Sequence, residues 1–270
     1  MKLTVLIDNI ASGELAGEWG LAIYIEQAGK KILLDAGGSG RFIENAARLG
    51  IDLSAVDFGV LSHAHYDHSL GLDDFFAINH RAKFYIRQGM GENCYHYSPT
   101  EKRYIGLRKG CLAEHARRLV FVGGDYELFP GAMLIPHRTE GIEKISERNF
   151  MYIERDRKLM PDAFGHEQSL VIGTEKGLVI FSSCSHAGAD NIVKEISRTY
   201  PGKNIYAIIG GFHQFNSPAD EVRAFARRLK ETGVQYVVTG HCTGDEAYAI
   251  IREELGDRAQ QIYSGFSLEI

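Results

Sequence analysis

The chain has 270 residues, 44% hydrophobic and 24% charged, which is ordinary globular composition with enough apolar material for a sizeable core. Thirty basic against 35 acidic residues leave a net charge of −5, which argues against the broad basic face of a nucleic-acid binder. No apolar run approaches membrane-spanning length, the first residues enter a strand pattern without a signal-type segment, and Cys94, Cys111, Cys184 and Cys242 form no C-x-x-C pair, so the expectation is a soluble, reducing, cytoplasmic setting.

Strand patterns cover 1–7, 20–25 and 31–35, the last two joined by a turn around Ala28-Gly29-Lys30. Ser39 is placed to cap a helix that carries Phe42, Ile43, Ala46, Ala47 and Leu49 at helical spacing and ends at Gly50. The apolar run 58–61 then reads as a buried strand, and it delivers Ser62-His63-Ala64-His65-Tyr66-Asp67-His68. Residues i and i+2 at a strand exit point the same way, so His63 and His65 are suited to share one metal ion. Asp67 and His68 lie past the turn, suited to a second. Neutral imidazole fits zinc, iron or manganese, and a carboxylate fits a harder ion or a bridging role.

Residues 88–165 are irregular and rich in aromatic and polar side chains, with short strands expected near 119–122, 132–135 and 150–154. This stretch reads as an insertion over the mouth of a site, in a single domain covering 1–270. The last third repeats the logic of the first. A hairpin at 168–173 and 177–182 is followed by a helix at 189–199, a strand at 205–209, a helix at 218–232, a strand at 236–239 and a helix at 245–255. The pattern suggests two similar β-sheet halves with helices outside, an α/β design.

Four segments share one grammar, an apolar strand, a turn of small residues and then a histidine. They end at His63, His186, His213 and His241. Strands that run the same way end at one rim, so these histidines are expected to converge on a cavity. His80, His96, His115 and His137 lack that context and read as structural or exposed. His166, just before the 168–173 strand, is an alternative metal ligand. So is Cys184, two residues before His186, where a thiolate has the chemistry to bind or bridge ions.

The run His63-Ala64-His65-Tyr66-Asp67-His68 matches the H-x-H-x-D-H signature, and the chain thereby resembles the metallo-β-lactamase superfamily. The resemblance implies a four-layer αββα sandwich in which His63 and His65 bind a first ion and Asp67 and His68 a second. Asp8-Asn9, Leu33-Leu34-Asp35-Ala36-Gly37, Arg103-Tyr104-Ile105-Gly106, Cys184-Ser185-His186-Ala187-Gly188, Gly210-Gly211-Phe212-His213 and His241-Cys242-Thr243-Gly244 look like one branch of it. That is the 7,8-dihydropterin-6-methyl-4-(β-D-ribofuranosyl)aminobenzene-5′-phosphate synthase-like branch, which implies joining a dihydropterin diphosphate to an aminobenzene phosphate. Two departures stand out. No carboxylate occurs at 182–186, where most members carry an acid that bridges both ions, and Trp19 stands where the branch often has histidine.

The resulting expectation is a hydrolase or transferase using one or two divalent ions, zinc first, iron or manganese otherwise. His63, His65 and His186 are assigned to the first ion, and Asp67, His68 and His241 to the second. Asp67 and His213 are the catalytic candidates, His213 for leaving-group protonation or phosphate binding. Trp19, Tyr95, Arg103 and Tyr104 are the candidate contacts to a small phosphorylated or heterocyclic substrate. The competing classes are a di-iron oxygen-handling protein of the same fold and a non-catalytic metal- or ligand-binding protein.

Overall fold

A computed structural model describes residues 1–270, which divide into two compact units. The first comprises Met1–Gly123, Glu140–Glu167 and Ser264–Glu269, and the second Gly124–Thr139, Gln168–Tyr263 and Ile270.

The first unit is built on a seven-stranded sheet in the order Ser267–Glu269, Lys2–Ile7, Ala22–Gln27, Lys30–Leu34, Phe58–Val60, Lys83–Arg87 and Leu119–Val122. Its first four strands pair antiparallel and its last four, sharing Lys30–Leu34, pair parallel. Helix Arg41–Arg48 buries Phe42 and Ala46, four residues apart, in the same apolar cluster as Leu6, Leu33, Phe75 and Phe84. Its amino terminus differs from the expectation: Gly40, not Ser39, precedes the helix, and the Ser39 hydroxyl donates to the Glu18 carboxylate while accepting the Arg41 amide hydrogen at 3.3 Å. Gly59 lies in strand Phe58–Val60 where a Cβ would overlap the ring of its cross-strand partner Phe84, so the absent side chain lets that ring pack over the strand.

The second unit has its own seven-stranded sheet, in the order Ala259–Gln261, Tyr236–Thr239, Ile205–Gly210, Gly177–Phe181, Gln168–Thr174, Ala132–Pro136 and Tyr126–Phe129. Four of these strands, Gly177–Phe181 through Ala259–Gln261, run parallel. Ile205, Ala207, Ile208 and Ile209 are buried and only Tyr206 is half-buried, the near-continuous apolar run of a central parallel strand. Helix Ala189–Thr199 turns Ile192, Val193 and Ile196 inward, and helix Ala219–Glu231 turns in Val222, Phe225, Ala226 and Leu229. These two helices and Asp245–Leu255 fall within a residue of where the apolar spacing places them.

The stretch 88–165 is not a single insertion. Leu119–Val122 belongs to the first large sheet, and Tyr126–Phe129 and Ala132–Pro136 belong to the second. Only its two flanks form a separate sheet, in the order Lys158–Pro161, Met151–Arg155, Cys94–Tyr97 and Lys102–Tyr104, all antiparallel. Strands so short and so far apart in sequence carry too weak an alternation to be assigned to sheets beforehand. No helix is long and apolar enough to cross a membrane.

Candidate metal centre

In the first unit, parallel neighbours Lys30–Leu34 and Phe58–Val60 deliver Asp35 and Ser62-His63 to the same end of the sheet. Asp35 is fully buried and takes a left-handed φ of 61°, a conformation that costs a non-glycine residue free energy and is held by its surroundings. Its Oδ1 accepts the Ser62 amide hydrogen at 2.7 Å. Its Oδ2 accepts from the Ser62 hydroxyl at 2.8 Å and lies 2.8 Å from His68 Nδ1.

Proton bookkeeping along this chain fixes two tautomers. The Ser62 hydroxyl spends its one hydrogen on Asp35, so its contact with His63 Nδ1 at 2.8 Å requires His63 Nδ1 to be the donor. His68 Nδ1 likewise donates to the carboxylate. In both rings the remaining nitrogen, Nε2, is then the lone-pair nitrogen, the form in which imidazole binds a metal.

The rest of the motif gathers around these rings. The His63 ring centroid lies 4.6 Å from that of His65 and 4.3 Å from that of His68, and His68 Nε2 is 3.9 Å from Asp67 Oδ2. Asp67 and His68 ride on the single-turn helix Tyr66–Ser69, which the chain pins from several sides. The Tyr66 amide donates to Ile105 O at 2.9 Å, the Leu21 amide to Asp67 O at 3.2 Å, and the Ala36 amide to His68 O at 2.8 Å. The Arg103–Gly106 motif thus supplies a backbone acceptor to the histidine loop.

Burial pushes the His65 imidazole down to about 3, so this ring is neutral at ordinary pH. His166 itself is bonded at both nitrogens. Its Nδ1 accepts the Ala64 amide hydrogen at 3.2 Å and its Nε2 donates to Asp162 Oδ2 at 2.9 Å. The Cys94 sulfur adds a contact of 3.7 Å to Nε2. His65, Cys94, Asp162 and His166 place ligand-type atoms within 4.8 Å of one another. The bonds at both its nitrogens make His166 a clamp on the His63–His65 backbone.

In the second unit, three adjacent parallel strands release the other expected residues at one edge. Gly177–Phe181 leads to Cys184 and His186, Ile205–Gly210 to His213, and Tyr236–Thr239 to His241. Ser185, His213 and His241 take left-handed φ of 51°, 49° and 48°. The His186 and His213 ring centroids are 4.6 Å apart, and Phe215 lies edge-on to His213 at 5.3 Å. Cys184, His241 and Cys242 bring ligand-type atoms within 4.8 Å. The His213 amide donates to Cys242 Sγ at 3.3 Å, and a Cβ on Gly211 would come within 2.5 Å of that sulfur. Burial opposes ionisation of Cys242. Hydrogen bonding from Cys184 and His213, with the His241 ring nearby, nonetheless holds its thiol well below the ordinary range.

The donor set suits a divalent metal. In the first unit it is made of imidazole nitrogens with prepared lone pairs and one carboxylate, ligand types that divalent ions accept. The substrate candidates separate. Trp19 is 42% exposed, beside Glu18, whose carboxylate anchors the Gly38 and Ser39 amides. Tyr95 and Tyr104 are cross-strand partners, 5.3 Å apart, with Lys102 over one ring and Lys109 over the other. Arg103 pairs with His96 instead, on the opposite face of that sheet, the face of Cys94. Asp35, Ser62, Asp162, Cys94 and Cys242 escaped the sequence reading as site residues. The apolar strands ahead of Asp35 and Ser62 were the available signal.

Comparison with known proteins gives one family and close structural counterparts. The family model described as the metallo-beta-lactamase superfamily matches residues 20–241. A protein of Methanocaldococcus jannaschii named 7,8-dihydropterin-6-methyl-4-(beta-D-ribofuranosyl)-aminobenzene-5'-phosphate synthase is 29% identical over 246 residues, 87% of this chain and 83% of its own length. The crystal structure of Tm1679, described as a metal-dependent hydrolase of the beta-lactamase superfamily, superposes with a TM-score of 0.86 at 29% identity, covering 100% of this chain and 99% of that one. A diphosphatase of the PhnP family aligns at 16% identity with a TM-score of 0.56, over 100% of this chain and 97% of its own, and shares the fold alone. The fold class expected from the sequence is the one the chain has, the metallo-β-lactamase fold.

Proposed function

Because this chain belongs to the metallo-β-lactamase superfamily, we propose that it is a metal-dependent hydrolase or transferase acting on a small phosphorylated, heterocyclic substrate. The observation that carries the reading is the chain His63–Ser62–Asp35–His68, which readies two Nε2 lone pairs in a buried loop. A site organised only for stability has no need to fix imidazole tautomers this way.

Following the family motif residue by residue, we assign His63, His65, Asp67, His68, His186 and His241 as the metal ligands. Cys184 is the candidate donor in place of the missing acid. A bound divalent ion would lower the pKa of water toward neutrality and stabilise negative charge developing on a phosphoryl or carbonyl oxygen. The protein's own groups do the rest. Asp67 orients the attacking group by accepting its hydrogen, and His213, its amide held by Cys242, protonates the leaving oxygen through its imidazole. His166 keeps the His63–His65 backbone in register. The substrate class is supported by the name of the Methanocaldococcus relative, a synthase of an aminobenzene phosphate, and by the position of Arg103.

The test is metal content together with turnover of a phosphodiester probe, bis(p-nitrophenyl) phosphate, and of a dihydropterin diphosphate. His65→Ala is expected to lose metal and activity together, and His213→Ala to retain metal while turnover falls by about a hundredfold or more. Full metal occupancy in His65→Ala would remove the ligand assignment. Iron with oxygen consumption, or metal without any turnover, would point to the competing classes.

A further inference from the structure

His96 and Arg103 face each other across strands Cys94–Tyr97 and Lys102–Tyr104, so their side chains leave the same face of the small sheet. That face looks toward the histidine loop, since Cys94 on it touches His166. The Arg103 guanidinium also acts on the hydroxyl of Tyr66, the residue between His65 and Asp67: burial and Asp67 push that phenol up, and Arg103 opposes them. Between the two basic side chains sits one carboxylate. Glu101 Oε1 lies 3.4 Å from Arg103 Nε, and Glu101 Oε2 lies 3.7 Å from His96 Nδ1.

Neither contact has the 2.7–2.9 Å length of a well-made charged hydrogen bond. His96 Nδ1 is buried and makes no hydrogen bond. The carboxylate is therefore loosely seated in a pocket of donors that it does not satisfy. Arg103 and Glu101 side chains are each 51% exposed, so a solute can reach the one and displace the other.

We propose that His96, Arg103 and the Tyr66 hydroxyl form an anion subsite for a phosphate monoester of the substrate, and that Glu101 occupies it in the ligand-free chain. The proposal takes its substrate class from the reading above, on which it rests in that respect. A tetrahedral phosphate offers three acceptor oxygens where a carboxylate offers two. The planar guanidinium can bind two of them, leaving the third for the imidazole and the phenol. Phe150, 40% exposed and 5.8 Å from the His96 ring, supplies an apolar wall for a ring attached to that phosphate.

The experiment is calorimetric titration of the as-purified chain with inorganic phosphate, at matched metal content, for the wild type, Arg103→Gln and Glu101→Gln. Arg103→Gln is expected to weaken phosphate binding about tenfold or more. Glu101→Gln is expected to tighten it by about threefold, because the competing carboxylate is neutralised. Opposite responses of these two exposed positions support the subsite. No measurable binding to wild type and Glu101→Gln, unchanged affinity in Arg103→Gln, or weakening in both variants would overturn it. Phosphate affinity is read without turnover, so loss of the His65→Ala expectation and loss of this one are separate results.

Discussion

Replacing Asp35 with asparagine tests the proton bookkeeping at its centre. The carboxylate accepts three hydrogen bonds, at 2.7, 2.8 and 2.8 Å, in a fully buried position. With its one acceptor oxygen kept on the Ser62 amide, asparagine turns its NH2 toward both Ser62 Oγ and His68 Nδ1, each of which is a donor in the wild type. The clash is relieved when His68 moves its hydrogen to Nε2, which removes the lone pair proposed to hold a metal. Changes to groups that orient ligating histidines typically cost 10–100-fold in metal affinity, which is about 1.4–2.8 kcal/mol. Two weakened charge-assisted bonds, at about 1.5–3 kcal/mol each, would also lower the stability of the zinc-free protein by about 3 kcal/mol or more. Zinc competition against a chromophoric chelator, urea unfolding of the zinc-free chain and the nitrogen-15 shifts of His68 measure the three consequences. Zinc affinity within threefold of wild type, with the His68 tautomer unchanged, would refute the reasoning.

Three further outcomes are expected. His166→Ala frees the Ala64 amide and should loosen zinc about tenfold with little loss of secondary structure; unchanged affinity in the chelator assay would return His166 to a purely packing role. Gly59→Ala should cost about 1–3 kcal/mol in denaturant unfolding because its Cβ meets the Phe84 ring, but much less in a Phe84→Ala background, and strictly additive losses would contradict that packing. Burial pushes the Cys111 thiol up to about 11 from its ordinary 9.0, so at about pH 8 its thiolate population is roughly a hundredfold below that of an ordinary thiol. Iodoacetamide should leave Cys111 unlabelled in the native chain, with labelling rising only as pH climbs toward that value; rapid native labelling at about pH 8 would contradict the burial.

Where apolar spacing is regular, local sequence was enough. The helices Ala189–Thr199, Ala219–Glu231 and Asp245–Leu255 and the strands Ile205–Gly210 and Tyr236–Thr239 bury one stripe or a whole run, and their periodicity states it. The H-x-H-x-D-H run is also legible locally, since one loop carries all four groups. Parallel strands share a direction, so the exits at His186, His213 and His241 fall at one edge of one sheet, as strand grammar implies.

Tertiary structure alone decided what surrounds those groups. Asp35 and His68 are 33 residues apart, and Ala64 and His166 are 102 apart. Whether a histidine is a ligand candidate or a clamp depends on which of its nitrogens another segment engages, and no local pattern encodes that. The same holds for Tyr95 and Arg103, separated on opposite faces by the register of two short strands, and for the stretch 88–165, whose strands join three different sheets. Sequence specifies the donors through local spacing; long-range pairing sets their proton positions and their neighbours, because hydrogen bonds and strand register are satisfied only once distant backbone has met.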